Sequence, residues 1–362
     1  HITNHLDVGG AEKLLADSLP LYKELEVDAD LMLLSSGDFA FLPQLKKSFG
    51  GHIFFAKTKN IYSPLQILDI RKVLKQGYDV VHVHLFPGMY WTVMARLLLR
   101  SKVPLVITEH NTKNRRLDSA FFRMLDRFIY KKYQKIIAIT PPVKDMLVEE
   151  LNIFNEKITV IYNGIDLSAF AHSESGKSTE LFEDDSTVLI QVSRFHAQKD
   201  QATVIKALAI LPEQYKLILV GDGETKADCE QQVEELGLQH RVRFLGARTD
   251  IPQLLHSADI VIQSSHWEGF GLAAVEGMAA EKPVVASRVA GLQEIVEGYG
   301  LTFESGNANE LADKVLSLSE DDEYRKIAVQ CLERSKSFGI KNMVVDYVKI
   351  YEDSIINSDH FL

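Results

Sequence analysis

The chain has 362 residues, 46% of them hydrophobic and 25% charged, a composition that excludes a disordered or fibrous protein and leaves room for two ordinary domains. No apolar run approaches the roughly 20 residues needed to cross a bilayer, and Cys229 and Cys331 match no metal or redox spacing, as free thiols of a reducing cytoplasm would. The net charge of −10 is uneven: residues 1–165 carry 22 Lys+Arg against 17 Asp+Glu, and residues 166–362 carry 18 against 33, so nucleic acid is not an expected partner, while the basic half can face an anionic surface.

The chain opens at His1 without a charged-then-apolar leader, and a cytoplasmic location is expected; His1 to Asn4 reads as the tail of a first strand. Apolar, β-branched runs then predict strands at Leu31–Leu34, His52–Phe55, Val80–His84, Leu105–Thr108, Lys135–Ile139 and Ile158–Tyr162. A polar, acidic stretch from His172 to Ser186 has little to bury and reads as a solvated linker. Strands resume at Val188–Val192, Lys216–Val220, Val242–Leu245, Ile260–Gln263 and Pro283–Ala286. Helical patterns lie between, as at Glu12–Leu25, Ala202–Leu211 and Lys226–Leu236, and Ile340–Ile355 carries Met343, Val344, Tyr347, Val348, Tyr351 and Ile355 on one stripe. Strands apolar on both faces, alternating with helices, predict an α/β chain of two Rossmann-like doubly wound domains facing across a cleft. The expected division is 1–165, 166–339 and a closing helix in 340–362.

Two loops carry the chemistry. Glu268-Gly269-Phe270-Gly271-Leu272-Ala273-Ala274-Val275-Glu276 follows a predicted strand and opens a small-residue helix. Amides at such a helix start face an anion, and glycine lets a phosphate or sugar approach the main chain. Glu276 can accept from paired ribose hydroxyls, and Glu268 from hydroxyls of a sugar; the alternative is a plain strand–loop–helix with two surface glutamates. Val192-Ser193-Arg194-Phe195-His196-Ala197-Gln198-Lys199-Asp200 also joins a strand to a helix. Arg194 as a fork and Lys199 as a point charge can converge on a diphosphate, although an isolated pair of this kind is also common on solvated surfaces.

In this order and separation the two loops resemble family 4 of the retaining glycosyltransferases, the glycosyl transferases group 1, which have the GT-B fold. Gly9-Gly10-Ala11-Glu12, Asp79-Val80-Val81-His82-Val83-His84, Thr108-Glu109-His110-Asn111, Asn163-Gly164-Ile165-Asp166, Gly221-Asp222-Gly223, Phe244-Leu245-Gly246 and Pro283-Val284-Val285-Ala286-Ser287 agree, so the resemblance covers nearly the whole chain. It implies transfer of a sugar from a UDP- or GDP-sugar to a saccharide or polyprenyl-linked acceptor, with the anomeric configuration retained and no metal or other cofactor, in polysaccharide synthesis. The N-terminal domain would bind the acceptor and the C-terminal domain the nucleotide sugar, with the closing helix returning to the first. Arg194 and Lys199 would bind the diphosphate, Glu276 the ribose, and Glu268 with the main chain of Gly269, Phe270, Gly271 and Leu272 the sugar and distal phosphate. Gly10 would pack near the phosphates or the acceptor, His110 would sit beside the reacting sugar, and Leu245 and Gly246 would border the base. His110, Glu268, Arg194 and Lys199 are thus the expected catalytic set. On the same fold, an epimerase would release nucleotide without an acceptor; a non-catalytic nucleotide-sugar-binding protein has less need of the intact set.

His110 follows a strand at the end where ligands bind in such sheets, and its imidazole can donate to a hydroxyl or carry positive charge near the anomeric centre. His82 reads as structural and His84 stands between the two readings. Asp28-Ala29-Asp30 has the spacing of a metal-binding carboxylate pair but precedes its strand and reads as loop surface. Gly221-Asp222-Gly223 lacks a third glycine, Lys226 standing there, which disfavours a dinucleotide cofactor and a dehydrogenase; it suits a turn that a nucleotide or the opposite domain approaches. Between Lys113 and Lys135 lie eight Lys+Arg against Asp118 and Asp126, with Phe121, Phe122, Leu125, Phe128 and Ile129 at helical spacing. Two readings of 113–135 stand side by side: peripheral contact with the inner face of a membrane, or a helix docked on the sheet with a charged outer face.

Overall fold

The computed structural model describes residues 1–7, 9–112, 115–171, 182 and 186–359. The chain divides into two compact units, His1–Gly164 with Ile340–Leu362, and Ile165–Gly339. In the first, β1 (Ile2–Thr3), β2 (Leu31–Leu33), β3 (Ile53–Phe55), β4 (Val81–His84), β5 (Leu105–Glu109), β6 (Lys135–Ala138) and β7 (Ile158–Val160) form a parallel sheet in the order β3-β2-β1-β4-β5-β6-β7. In the second, β8 (Thr187–Val192), β9 (Tyr215–Val220), β10 (Val242–Gly246), β11 (Ile260–Gln263), β12 (Val284–Ser287) and β13 (Leu301–Phe303) form another, in the order β10-β9-β8-β11-β12-β13.

Every residue of β4, β5, β9, β11 and β12 is buried, because helices cover both faces of a parallel sheet. The predicted strands lie within a residue or two of these. β13 escapes sequence reading because it is three residues long with Thr302 at its centre; pairing with β12, from Val285↔Leu301 to Ser287↔Phe303, makes it a strand. The predicted Glu12–Leu25 helix is an α-helix only over Gly10–Ser18 and tightens to a 3-10 helix over Leu19–Leu25. Pro20 lacks the N–H that would continue the α-helical ladder. Most of the predicted linker lies outside the described residues, but its Phe182 is buried, with the Arg243 guanidinium 4.9 Å from the ring centroid, so that stretch does have something to bury. Asp30 is a clamp within the unit, accepting from the His52 amide at 2.7 Å and from the Tyr78 hydroxyl at 2.7 Å. Both cysteines are buried and free.

The Ile340–Asp359 helix belongs to the first unit. Met343, Val344, Tyr347, Ile350 and Tyr351 join the core made by Leu14, Leu15, Leu19, Leu31, Val106 and Ile137, while Val348 is only partly buried. Apolar packing is joined by a buried polar chain. Tyr351 OH lies 2.6 Å from His82 Nδ1 and 2.8 Å from Tyr22 OH, and His82 Nε2 lies 2.7 Å from Thr108 Oγ1. His82 is therefore structural, and burial pushes its pKa well below the ordinary value. Tyr351→Phe keeps the ring and strands two buried polar groups, which costs about 1–3 kcal/mol. Urea unfolding should show a lower midpoint at unchanged slope, and an unchanged midpoint would remove this chain from the account.

Candidate functional site

In the second unit the strand order reverses between β8 and β11, which are neighbours. Loops leaving such a pair diverge and open a crevice at the carboxyl ends of the strands, the usual ligand position in doubly wound sheets. The loops here are Ser193–Asp200 and Ser264–Gly271, the two that carry the predicted site.

Hydrogen bonds lace them together. The Ser264 hydroxyl lies 2.9 Å from the Lys199 carbonyl oxygen and 2.8 Å from that of Asp200, and Gln191 Nε2 donates to the Lys199 carbonyl at 2.9 Å. The His266 amide donates to the Gln198 carbonyl at 2.8 Å, and Gln198 Nε2 returns a bond to the Trp267 carbonyl at 2.7 Å. At the centre Lys199 Nζ forms an ion pair with the Glu268 carboxylate, whose Oε1 also accepts from Ser265 Oγ at 3.1 Å. Lys199 and Glu268 were assigned separately, to diphosphate and to sugar; the fold joins them. Glu268 is buried, and a buried carboxylate needs a cation and further hydrogen bonds to offset its lost hydration.

Glycines set the surrounding backbone. Gly271, at φ 88°, begins the Leu272–Ala279 helix and supplies no side-chain cap. The Leu272 and Ala273 amides have no acceptor among the described residues and remain available to an anion. A Cβ at Gly291, itself at φ 87°, would strike the Glu268 carbonyl oxygen, so the Gly291 turn buttresses the glutamate loop. Cβ atoms at Gly221 and Gly223 would strike the carbonyl oxygens of Ser193 and Phe195. The chain's own Arg194 loop thus approaches this turn closely. The Phe195 amide donates to the Asp222 carbonyl at 2.9 Å, and the Gly221 amide to the Gly246 carbonyl at 2.8 Å, which aligns Arg194, the glycine turn and Leu245-Gly246 along one sheet edge. Arg194 is exposed and its guanidinium has no partner among the described residues. Glu276 is buried within the Leu272–Ala279 helix.

Gly10 and His110 belong to the first unit. Gly10 is the exposed first residue of its helix, in the loop that follows β1; the order reverses between β1 and β4, the switch point of that sheet. His110 follows β5. Its position is set by Glu109, a residue that sequence reasoning quoted but did not single out; a carboxylate just before a histidine at a strand end is the signal that was available. Glu109 Oε1 accepts from the His110 amide at 3.1 Å, the Asn111 amide at 2.9 Å and Asn111 Nδ2 at 3.0 Å, and its Oε2 accepts from the Tyr130 hydroxyl. The His110 ring is half-buried, and its Nε2 is sealed from solvent with no partner among the described residues. Burial pushes its pKa down to about 4, so at neutral pH the imidazole is uncharged.

Among the described residues, His1, His82 and His84 are the group whose ring nitrogens lie close enough for a metal, within 4.8 Å of one another. Both nitrogens of His82 already face hydroxyls, and His84 Nε2 lies 3.2 Å from His1 Nδ1, so a metal there would displace existing hydrogen bonds. Of the predicted site, then, Arg194, Lys199, Leu245, Gly246 and 268–276 share one sheet edge, while Gly10 and His110 follow strands of the other sheet, where His84 is the last residue of β4.

Residues 174–331 match the family described as Glycosyl transferases group 1, and residues 8–169 match Glycosyltransferase Family 4. An uncharacterized glycosyltransferase of Methanocaldococcus jannaschii is 32% identical, over 77% of this chain and 76% of its own. The UDP-Gal:alpha-D-GlcNAc-diphosphoundecaprenol alpha-1,3-galactosyltransferase of Escherichia coli is 26% identical, over 97% and 95%. The crystal structure of Anabaena HepE in complex with UDP and glucose superposes with a TM-score of 0.85 at 27% identity, covering 97% of this chain and 98% of that one.

The buried state of His110 has a measurable consequence. The folded chain deprotonates this ring above about 4, while an unfolded chain holds the proton up to 6.5. Between those values the unfolded state binds more protons, so stability falls as pH falls through that window. His82 and His84, also pushed well below their ordinary values by burial, act in the same direction. The melting temperature of His110→Gln should therefore drop less steeply than that of the unaltered chain between pH 6.5 and 4, whereas equal slopes would mean that His110 titrates normally when folded.

Proposed function

The chain belongs to glycosyltransferase family 4, the glycosyl transferases group 1, with the two Rossmann-like domains of the GT-B fold, and from that premise we propose that it is a retaining glycosyltransferase moving a hexose-type sugar from a nucleotide diphosphate to a saccharide or polyprenyl-linked acceptor. A uridine diphosphate sugar is the donor that fits: the E. coli relative is named for UDP-Gal and a diphosphoundecaprenol acceptor, and HepE holds UDP. The observation that carries the reading is the Lys199–Glu268 pair beside the uncapped Leu272–Ala279 helix.

The unit at 165–339 holds the donor and the first unit the acceptor. Arg194 and Lys199 bind the diphosphate together with the Leu272 and Ala273 amides. Glu276 accepts from the ribose hydroxyls, the main chain of Leu245 and Gly246 borders the base, and Glu268, oriented by Lys199, takes hydroxyls of the sugar. Neutral His110 donates a hydrogen bond to the sugar, and Gly10 leaves room for the phosphates or acceptor. In the transfer the bond between the anomeric carbon and the distal phosphate oxygen breaks, and its electrons remain on that oxygen. The acceptor hydroxyl oxygen bonds to the same face of the anomeric carbon, and its proton passes to the departing phosphate. Negative charge thus grows on the diphosphate, where fixed cations and helix-start amides stabilise it most. This arrangement needs no divalent cation.

Loss of one preorganised donor to a developing anion costs about 10²–10³-fold in turnover. Lys199→Ala should lower kcat on that scale, with the melting temperature followed alongside because Glu268 loses its cation. Glu276→Ala should instead weaken UDP binding, and EDTA should leave turnover unchanged. Full activity in both variants, or a strict demand for a divalent ion, would contradict the assignment.

A further inference from the structure

The Ala120–Lys131 helix is amphipathic in the wrong sense for a helix that merely covers a sheet. Its inward side carries Asp126 and Tyr130 beside Ile129, all buried. Asp126 accepts from the Tyr90 hydroxyl and, at 3.2 Å, from Arg116, while Tyr130 donates to Glu109. Polar bonds thus help Ile129 hold this helix to the fold, and most of its large apolar side chains point away. Phe121, Met124 and Phe128, at helical spacings of three and four, are 62%, 67% and 47% exposed, and Phe122 is 40% exposed. Of the predicted stripe, Ile129 is buried and Leu125 half-buried, while Phe121, Phe122 and Phe128 are exposed, so docking on the fold accounts for only one side of it.

Cations accompany the stripe. Arg123, Arg127 and Lys131 are exposed, and Lys132 Nζ lies 4.9 Å from the Phe128 ring centroid. The helix itself has one acid, Asp126, and that one is buried, so its outward side is purely basic and apolar. The Gly88–Leu99 helix packed beside it also exposes Met94, Leu97 and Leu98, followed by exposed Arg100 and Lys102. Lys113, at the start of the basic stretch, lies outside the described residues. A second copy of the chain is a poor occupant, because a twofold pairing through this side would set one basic face against another. An anionic lipid surface complements both features: headgroups attract the cations, long basic side chains snorkel towards them, and aromatic and Met side chains enter the boundary with the acyl chains.

We propose that the Ala120–Lys131 helix is a membrane-docking surface that lies flat on an anionic bilayer, with Phe121, Met124 and Phe128 inserted at the interface and Arg123, Arg127 and Lys131 on the headgroups. Contact is peripheral: among the described residues no helix is long and apolar enough to cross a membrane. The inference does not depend on the transfer reaction.

Co-sedimentation of the full chain with vesicles tests it. The unaltered protein should pellet with mixed phosphatidylglycerol–phosphatidylcholine vesicles at low salt, and far less with phosphatidylcholine alone or at high salt. Arg127→Glu with Lys131→Glu should weaken partitioning by about thirty-fold or more, since each cation near the surface adds roughly a factor of five. Met124→Glu with Phe128→Glu should abolish it; both positions are exposed, and the circular dichroism melt of this variant should match the original. No pelleting at low salt, equal pelleting of all variants, or a dimer in ultracentrifugation that only Met124→Glu with Phe128→Glu dissolves would overturn the proposal, the last by naming a second copy as the occupant.

Discussion

The structure of the second unit turns on one ion pair. Burying a carboxylate such as that of Glu268 is costly unless a cation lies beside it, and Lys199 supplies one from the neighbouring loop. That demand ties the turn after β8 to the turn after β11 across the place where the strand order reverses. Gln191, Ser264 and Gln198 lock the same two turns through their backbone, so the pair is held by several bonds. The result is a lysine whose charge is oriented and locally balanced, next to a helix start whose cap has no side chain.

Much of this was legible in the sequence, for reasons that differ by residue. Parallel strands declare themselves because both faces are apolar, and the Glu268–Glu276 segment because glycines, small residues and carboxylates rarely coincide at a strand–helix junction. What stayed hidden depends on distance. Nothing local says that Lys199 reaches Glu268, that Gly221 and Gly223 are small to admit the carbonyls of Ser193 and Phe195, or that Gly291 underlies Glu268. β13 is a strand by virtue of its neighbour, and Pro20 converts half of a predicted helix into a tighter turn. The Ala120–Lys131 helix was recognised from its periodicity, but period alone does not say which side faces in; Asp126 and Tyr130 decide that through their buried partners.

Polar bonds recur at the points where elements must be positioned accurately. Tyr351 links the closing helix to β4 through His82, and Glu109 gathers the amides around His110 while Tyr130 holds its second oxygen. Apolar packing tolerates small slides, whereas a buried hydrogen bond at 2.6–2.9 Å fixes a register, at the expense of a penalty if either partner is lost.

A crystal structure of the chain with bound UDP tests the central claim most directly. The pyrophosphate should lie within hydrogen-bonding distance of the Leu272 and Ala273 amides, with Arg194 and Lys199 on its oxygens and Lys199 still beside Glu268. Electron density for the nucleotide at any other edge of the sheet, or a pyrophosphate contacted by neither Arg194 nor Lys199, would contradict it.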